Sequence, residues 1–565
     1  MQKQTRPRYD ADAIAQKYRQ SPFLLIQRVL TIVWVLGGFF LRLKIDQWRG
    51  TAEKNKYKRA RELRELLTKL GPTYIKVGQA LSTRPDLVRK DFLEELTKLQ
   101  DQLPPFDNAI ALQIIEQELR RPVSEIYREI SPDPIAAASL GQVYRAVLHS
   151  GEEVAVKVQR PNLEPILTLD LYIMRWGVSK VKDWLPLNLG HDLSLIIDEF
   201  GIKLFEEIDY INEAKNAEKF AINFQNEPTV KVPKIYWDYT SYCVLTLEWI
   251  DGFKLTDVDR IKAANLEQNQ LIEIGVVSGL RQLLEHGFFH ADPHPGNLFA
   301  MADGRMAYID FGMMDQLEET TKETIASSVV HLLNRDYERL AEDFMVLGFL
   351  APGTEIEPIL PALEQVLGNA MGESVKNFNF KTITDQFSEL MYEYPFRIPA
   401  KFALIIRSLI TQEGLALTLD PDFKIVEVAY PYVAQRLLRG ESPEMRRRLI
   451  EVLFKDGKFQ WQRLENMIAI ARTNNENFDL LPTARLGLQY LLSEEGNYLR
   501  RQLLLALTED EQLQTEQVQR LWDLVKEDLK PAKLFDVAWD SLRDFSAQEV
   551  AALLPTATRN HSLDN

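Results

Sequence analysis

The sequence predicts an α+β protein, with a helical extension before its strand-containing part and an all-helical tail after it. Short apolar segments separated by turn residues predict strands, mainly between residues 130 and 160 and between residues 297 and 309. Charged and aliphatic residues alternate at three- and four-residue steps over 51–117 and beyond Thr320, which is typical of amphipathic helices. At 565 residues the chain is long enough to hold several such units.

The N-terminal region differs in charge from the rest of the chain. Residues 1–70 hold 16 Lys and Arg against 6 Asp and Glu, whereas the whole chain has a net charge of -15. A basic segment on an acidic body argues against general nucleic-acid binding and favours contact with an anionic membrane surface. The apolar run within Phe23–Leu43 is shorter than the about 20 residues that a spanning helix needs. It predicts either an interfacial helix or a buried packing helix, and the basic residues that follow favour the first.

Cysteine content and the N-terminal sequence bear on the compartment. Cys243 is the single cysteine, so an intramolecular disulfide is excluded and a reducing compartment is favoured. The apolar run lacks the position and the small-residue cleavage site of a secretory signal. We therefore expect a protein of the cytoplasm or of a reducing organellar compartment, associated peripherally with a membrane. The sequence leaves the oligomeric state open.

The segment Ile130–Arg160 predicts an antiparallel meander with a turn at Ser150-Gly151. Its last strand carries Lys157 in a Val-Ala-Val-Lys pattern, which is similar to the kinase strand whose lysine reaches the nucleotide phosphates. The loop expected to cover those phosphates has alanines where kinases have glycines, and it consists of Ala136, Ala137, Ala138 and Ser139. Because alanine disfavours positive φ, we expect this loop to hold a nucleotide in a stiffer way.

A long helix is predicted from about Asp192 to Phe220, and it contains Glu213, the candidate ion-pair partner of Lys157. A strand hairpin is predicted next, over Val230–Trp249. The end of this hairpin is expected to join the two lobes. Backbone groups of Glu248 and Ile250 would there meet an adenine ring.

Two acidic turns carry the strongest chemical signal. The first is His-Ala-Asp-Pro-His-Pro-Gly-Asn at 290–297, and the second is Asp-Phe-Gly at 310–312, with a predicted hairpin around Asp303-Gly304 between them. Phosphoryl transfer needs one carboxylate to orient the nucleophile and oxygen ligands to hold magnesium. Asp292 fits the first role, and Asn297 and Asp310 fit the second. A zinc site at His290 and His294 is the alternative, disfavoured because no cysteine is near and zinc would compete for the same carboxylates.

The order of the motifs resembles the UbiB (activity-of-bc-one) family of atypical protein-kinase-like proteins over roughly residues 65–440. The matching motifs are Lys-x-Gly-Gln at 76–79, the Ala-rich loop at 136–139, Lys157, Glu-x-Asp at 207–209 and the two acidic turns. The resemblance implies a two-lobed protein-kinase-like fold that binds ATP and magnesium in its cleft. It also implies a role in isoprenoid-quinone (ubiquinone, plastoquinone) or related prenyl-lipid metabolism at membranes.

The resemblance further implies that the helix with Lys76 and Gln79 covers the peptide site and approaches Glu207 and Asp209. On one ideal helix, however, Glu207 and Asp209 would diverge by about 200°. The predicted regions are a basic N-terminal region with a membrane-associating helix (1–50), the helical Lys-x-Gly-Gln extension (51–117), an N-lobe (118–247), a C-lobe (248–440) and a helical tail (441–565).

Two function classes remain open. The first is an atypical kinase or ATPase with an unknown acceptor, in which Asp292, Lys157 and Glu213 carry the catalytic roles. The second is a nucleotide-gated lipid-binding or scaffold protein with little phosphotransferase activity. The retained phosphate and metal ligands favour the enzyme, whereas the covering helix and the Ala-rich loop favour the second class.

Overall fold

The computed structural model describes residues 8–82, 88–99, 104–181, 193–291, 293, 295–333, 335–371, 394 and 396–439, with short pieces between 449 and 519. The chain divides into two compact units. The first consists of Met1–Gln316 with Phe380–Phe423, and the second of Leu317–Asn379 with Lys424–Asn565. All of the predicted site residues belong to the first unit.

The first unit mixes helices and strands. Its helices are α1 (Ala11–Arg19), α2 (Pro22–Trp48), α3 (Ala52–Leu70), α4 (Pro72–Leu81), α5 (Lys90–Leu96), α6 (Asn108–Leu119), α7 (Val123–Ile126), α8 (Leu163–Val181), α9 (Leu193–Ile208), α10 (Tyr210–Asn223), α11 (Val258–Ala263), α12 (Gln268–Arg281) and α16 (Ala400–Leu419). Its strands are β1 (Tyr127–Ile130), β2 (Ala136–Ala137), β3 (Gly141–Leu148), β4 (Glu153–Gln159), β5 (Val230–Lys231), β6 (Val244–Glu248), β7 (Phe253–Lys254), β8 (Phe288–His290), β9 (Leu298–Ala300), β10 (Met306–Tyr308) and β11 (Met314–Gln316).

The first sheet is antiparallel and has the order β1-β3-β4-β6, with β2 paired to β3. Side chains alternate between its two faces, and Val154, Val156 and Val158 are fully buried on one of them in a core shared with α6. Lys157 therefore lies on the opposite face, in register with Val143 on one side and Leu245 on the other. The predicted meander is confirmed, and its alternation gives Lys157 its direction.

The second sheet has the order β5-β10-β9-β7. The predicted hairpin around Asp303-Gly304 is confirmed by the antiparallel β9 and β10, with Gly304 at φ +84°. The predicted hairpin over Val230–Trp249 is only partly right. Ile235 pairs with Leu247 in antiparallel fashion, but β5 pairs in parallel with β10 instead. Pro233 separates the two segments, and since proline has no N–H it interrupts a strand ladder.

The predicted continuous helix to Phe220 is wrong at Asp209, where the chain breaks into α9 and α10. Asp209 has φ -85° and ψ 92°, and its carboxylate accepts hydrogen bonds from the N–H groups of Ile211 (3.0 Å) and Asn212 (3.2 Å). It is the N-cap of α10, a role for which aspartate is among the preferred residues. The predicted start at Asp192 lies outside the described residues. Because the helix is broken, the 200° divergence of Glu207 and Asp209 does not apply.

Helix α2 is longer than the apolar run that predicted it. Its 27 residues include an 18-residue window of mean hydropathy 2.0 that is only 6% buried. At 1.5 Å per residue it is about 40 Å long, so the expectation that it is too short to cross a bilayer was wrong about length. Val35 and Phe39 are buried, with Val35 packed against Leu67 and Tyr74, whereas the opposite face exposes apolar side chains. The segment is thus a packing helix on one face and an exposed apolar helix on the other. The segment Lys401–Leu419, within α16, is also long and apolar enough to cross a membrane, but 50% of its apolar window is buried.

The second unit is helical in its larger described part. Its elements are α13 (Glu319–Leu333), α14 (Tyr337–Val346), α15 (Leu360–Met371), α17 (Val426–Arg439), β12 (Phe454–Lys455), β13 (Lys458–Phe459), β14 (Thr508–Glu509) and β15 (Gln512–Leu513). The helical C-terminal region is confirmed, but an all-helical tail is too strict, since β12 pairs with β13 and β14 with β15. Phe454 lies opposite Phe459 in the register of β12 and β13, and aromatic residues favour strands.

Gly141 provides a test of the packing between the first sheet and α10. A Cβ at this position would lie 2.5 Å from the Tyr210 hydroxyl and 2.6 Å from the Val158 carbonyl oxygen. Because the second contact is with backbone, we expect Gly141→Ala to lower the free energy of unfolding by about 1–3 kcal/mol in urea denaturation. A Cβ on Gly177 in α8 would meet no neighbour within 4 Å, so Gly177→Ala is the control and should be neutral or stabilising by about 0.5–1 kcal/mol. Equal effects of the two changes would contradict the close approach.

Candidate active site

Lys157 lies at the centre of a buried group of charges. Its ammonium group donates a hydrogen bond to Glu213 and lies 3.2 Å from the Asp310 carboxylate. The lysine comes from β4, Glu213 from the first turn of α10, and Asp310 from the turn that follows β10. Three separate elements of the first unit are therefore joined by one ammonium group.

Glu213 is fixed by the start of its helix. It lies one turn after the cap residue Asp209, and its side chain is only 4% exposed. The Phe311 N–H points at the same carboxylate at 3.4 Å. Glu213 thus connects Lys157 to the backbone of the second acidic turn.

The charges shift one another's pKa values. Burial lowers the pKa of Lys157, but attraction to Asp310 and Glu213 outweighs it and leaves that pKa above its usual value. Burial raises the pKa of Asp310, yet attraction to Lys157 and the hydrogen bond from the Gly312 N–H at 3.0 Å bring it down to about 2. Burial raises the pKa of Glu213, and Lys157 offsets this only in part. At neutral pH Lys157 is therefore a cation and Asp310 an anion.

Asn297 and Asp310 lie at the same end of the β9–β10 hairpin. Asn297 immediately precedes β9, and its carbonyl oxygen accepts a hydrogen bond from the Ile309 N–H at 3.1 Å. The Asp310 side chain is 37% exposed, so an ion from solvent can reach its ionised carboxylate. An ionised carboxylate and an asparagine at the same end of a hairpin are ligand types that fit magnesium, which takes few protein ligands and keeps several waters.

Two residues of the first acidic turn, Asp292 and His294, lie outside the described residues. His290 is described and is 2% exposed, with its Nε2 2.9 Å from the Asp310 carbonyl oxygen. Its ring therefore supports the second acidic turn. Among the residues that the structure describes, no group of three or more His, Cys, Asp or Glu side chains is arranged to hold a metal ion. The zinc alternative at His290 and His294 stays a prediction, because His294 lies outside the described residues.

Two residues that sequence reasoning missed hold the Asp-Phe-Gly turn against α10. The Asn216 side-chain amide donates to the Phe311 carbonyl oxygen at 3.0 Å, and the Phe220 and Phe311 rings lie 5.3 Å apart. Phe311 is 2% exposed, so this contact is part of the core. Asn216 and Phe220 follow Glu213 at three and seven residues, which places all three on one face of a helix. This spacing from Glu213 is the sequence signal that could have identified Asn216 and Phe220.

The Ala-rich loop forms a tight hairpin beside Lys157. Ala136 pairs with Val143 and Ala137 with Gln142, and the Ala138 N–H donates to the Gly141 carbonyl oxygen at 2.8 Å. Ser139, in the turn, is 1% exposed. Because Val143 is also the partner of Lys157 in the sheet, the loop lies one strand away from the lysine.

The two residues predicted to meet adenine differ in what they offer. The Glu248 N–H donates to the Lys234 carbonyl oxygen at 2.8 Å, and the Glu248 carboxylate accepts from the Lys231 ammonium at 2.7 Å. Within the described part of the chain, the Ile250 N–H has no hydrogen-bond partner. Ile250 can therefore donate to a ligand, whereas the Glu248 N–H is already used and the backbone of Glu248 offers its carbonyl group.

The predicted Lys-x-Gly-Gln helix, α4, reaches the second acidic turn through Glu207. Lys76 is 7% exposed and forms an ion pair with Glu207. The Glu207 Cγ lies 3.6 Å from the position that a Cβ on Gly312 would occupy. Gln79 instead donates to the Leu99 carbonyl oxygen at 3.0 Å, and Asp209 serves as the cap of α10. Of these four residues, Lys76 and Glu207 are therefore the pair brought next to the turn.

This fold places the protein in the protein-kinase-like class, in which a sheet lysine meets a helix glutamate beside an Asp-Phe-Gly turn. The chain belongs to the ABC1/UbiB family. The profile of the ABC1 atypical kinase-like domain matches residues 98–344, and that of the UbiB helical domain matches residues 363–424. The family and the two-lobed kinase-like fold predicted from the motifs are confirmed.

Several relatives cover most of the chain. An uncharacterized protein of Synechocystis sp. is 70% identical over 97% of both chains. Protein ACTIVITY OF BC1 COMPLEX KINASE 1, chloroplastic, of Arabidopsis thaliana is 49% identical over 89% of this chain and 76% of its own length. Among solved structures, the Rv3197–erythromycin complex from Mycobacterium tuberculosis is 27% identical, covers 67% of this chain and 97% of that chain, and has a TM-score of 0.45.

Removing the central cation tests the energetics of the buried charges. We expect Lys157→Met to lower the free energy of unfolding by about 3–5 kcal/mol in urea denaturation, because the buried Glu213 carboxylate is left without its partner. The pKa of Glu213 is already raised by burial and rises further without the cation, so the loss should shrink as the pH is lowered towards the range where this carboxylate takes up a proton. The double variant Lys157→Met/Glu213→Leu should recover part of the loss. Strictly additive losses would show that the two side chains do not interact.

Proposed function

We propose that this protein binds ATP and magnesium at Lys157, Glu213 and Asp310 and acts as an atypical kinase or ATPase. The observation that carries the proposal is the ammonium group of Lys157 held between a buried glutamate and the partly exposed Asp310. In this proposal Lys157 contacts the nucleotide phosphates, Asn297 and Asp310 bind magnesium, and Asp292 orients the nucleophile. Magnesium, when bound, neutralises charge on the phosphates.

The electrostatics of the site support these roles. Because the pKa of Lys157 is raised, the lysine stays charged and acts as a fixed electrostatic anchor rather than as a proton donor. Glu213 keeps the lysine in place, since it is buried and bonded to both the lysine and the second acidic turn. Asp310, with a pKa of about 2, is ionised throughout the physiological range and suits a hard cation.

The nucleotide would lie between the Ala-rich loop and the link between the lobes. The free N–H of Ile250 and the carbonyl group of Glu248 are suited to the edge of an adenine ring. Residues 136–139 would cover the phosphates from the sheet side, one strand away from Lys157. This arrangement would bring the terminal phosphate towards Asp310.

The acceptor would be small, or water. The ion pair of Lys76 with Glu207 lies beside Gly312, which supports the implication of the family resemblance that α4 covers the site of a peptide substrate. The same contact supports the second candidate function, a nucleotide-gated lipid-binding or scaffold protein with little phosphotransferase activity. In that case the ion pair would transmit the effect of nucleotide binding from the site to α4, rather than restrict the size of an acceptor.

The physiological setting that we propose is a membrane where isoprenoid-quinone or related prenyl-lipid metabolism takes place. Helix α2 supports it, since its outer face exposes Phe23 (81%), Trp34 (86%) and Trp48 (85%). Lys44 and Arg49 are exposed near its end, and cations beside an apolar face favour anionic lipids. Two Arabidopsis relatives are named chloroplastic, and for this chain a cytoplasmic or organellar reducing compartment is proposed.

The metal assignment is tested with Asp310→Asn. We expect this change to weaken magnesium-dependent binding of ATP at least about tenfold in calorimetric titration, because one charged ligand of a hard cation is lost. Asp303→Asn is the matched control, since Asp303 lies in the turn of the same β9–β10 hairpin and, among the described residues, its side chain forms an ion pair only with Arg305. Binding by the Asp310 variant that matches wild type and still requires magnesium would refute the assignment.

The membrane contact is tested on the exposed face of α2. We expect the triple change Phe23→Ser, Leu30→Ser and Trp34→Ser to reduce binding to phosphatidylglycerol-containing vesicles at least about tenfold in co-sedimentation, since three exposed apolar side chains are lost. Serine at three exposed apolar positions elsewhere in the first unit, Ile135, Ile222 and Trp237, is the matched control. A similar loss in both triple variants would show that α2 is not the docking surface.

A further inference from the structure

A short segment just before α6 lies against the Ala-rich loop, and two side chains outside the proposed site hold it there. The segment comprises residues 104–106 and is called the strap below. The two side chains are Gln142 of β3 and Arg160, which directly follows β4. The proposed function gives neither of them a role.

Gln142 binds the backbone of the strap. Its amide oxygen accepts from the Phe106 N–H at 3.0 Å, and its amide nitrogen donates to the Phe106 carbonyl oxygen at 3.3 Å. Gln142 is 1% exposed, and its own backbone lies opposite Ala137 in the loop hairpin. One buried side chain therefore joins the strap to the strand that pairs with the loop.

Arg160 binds the strap and the loop together. Its Nη2 donates to the Pro104 carbonyl oxygen at 2.9 Å, and its Nε donates to the Ala138 carbonyl oxygen at 3.0 Å. Its backbone N–H donates to the Leu140 carbonyl oxygen at 2.9 Å. The guanidinium also lies 5.7 Å from the centre of the Phe106 ring. One side-chain hydrogen bond of Arg160 thus holds the loop at Ala138, and one holds the strap at Pro104.

The partners of Arg160 are unusual for a half-buried cation. In the described part of the chain, no carboxylate lies within 4.0 Å of its guanidinium. Its charge is directed at backbone carbonyl groups, for which the planar guanidinium offers donors at a fixed spacing. A lysine at this position would carry the same charge without that geometry.

The hydrogen bonds that Gln142 and Arg160 make to the strap and the loop are called the clamp, and they have a direct consequence for the loop. While the β2–β3 hairpin is held, the Ala138 N–H donates to the Gly141 carbonyl oxygen at the start of β3 and is not directed at a ligand. Alanine at 137 and 138 also resists the positive φ that would turn the amides outward. Release of the clamp would give the hairpin freedom to move its amides towards a terminal phosphate.

We propose that Arg160 and Gln142 are positioning residues that lock the Ala-rich loop through the strap and thereby set the preference between ATP and ADP. The inference rests on the proposed nucleotide function of the same site. Neither side chain touches the nucleotide in this scheme. ATP carries the terminal phosphate that freed loop amides can reach, and ADP lacks it, so unlocking the loop favours ATP.

The test is the ratio of the dissociation constants for ATP and ADP with magnesium, measured by calorimetry on the full chain. Arg160→Gln should shift the ratio towards ATP by about tenfold, the size of one charge-assisted hydrogen bond. Arg160→Lys should shift it in the same direction, since it keeps the charge but loses the paired donors. Gln142→Leu removes the two side-chain hydrogen bonds to Phe106 of the strap and should also shift the ratio towards ATP. Arg128→Gln, an exposed change on β1 of the same sheet, should leave the ratio unchanged.

The possible results separate this inference from the proposed function. A ratio within about twofold of wild type in both Arg160 variants, with or without a lower melting temperature, would overturn the inference and leave a structural role. A shift against ATP would also overturn it, because Arg160 would then be a direct ligand of the terminal phosphate. If Arg160→Lys keeps the wild-type ratio and Arg160→Gln does not, the positive charge and not the hydrogen-bonding geometry of the guanidinium sets the ratio, and the inference is overturned. Wild-type protein that binds neither nucleotide would overturn the proposed function as well.

Discussion

The buried ammonium group of Lys157 is the interaction on which the first unit depends. It joins β4, α10 and the turn after β10. The buried carboxylate of Glu213 is acceptable in the interior because the cation is there, and the partly exposed Asp310 carboxylate lies beside the same cation. This places a constraint on each element. The sheet must direct Lys157 away from its apolar face, α10 must begin where Glu213 can reach the lysine, and the β9–β10 hairpin must end beside both.

The break at Asp209 meets the second of these requirements. By capping α10, Asp209 starts a new helix axis four residues before Glu213, while Glu207 remains on the end of α9. Both glutamates can then lie near the Asp-Phe-Gly turn, one bonded to Lys157 and the other to Lys76. A single unbroken helix would have directed them to different sides. The Glu-x-Asp motif therefore works as a helix junction as well as a source of charge.

The sequence predicted the contacts that depend on motif order and on local turn chemistry. The β9–β10 hairpin followed from Asp303-Gly304, and Glu213 was chosen for Lys157 because it lies on the helix after the lysine strand. The parallel pairing of β5 with β10 was missed because its partners are far apart in the chain. Arg160 was missed for another reason: its side-chain hydrogen bonds go to backbone carbonyls, which leave no pattern in the residue types. Asp292 lies outside the described residues, so its role stays a prediction.

The central claim is that Lys157 and Asp310 form the phosphate and metal end of a nucleotide site. A crystal structure of the protein with bound ADP and magnesium tests it most directly. We expect the metal about 2.1 Å from oxygens of Asp310 and Asn297, with the Lys157 ammonium on the phosphates and the Ile250 N–H on adenine. A nucleotide bound away from Lys157, or a metal held without Asp310, would contradict the claim.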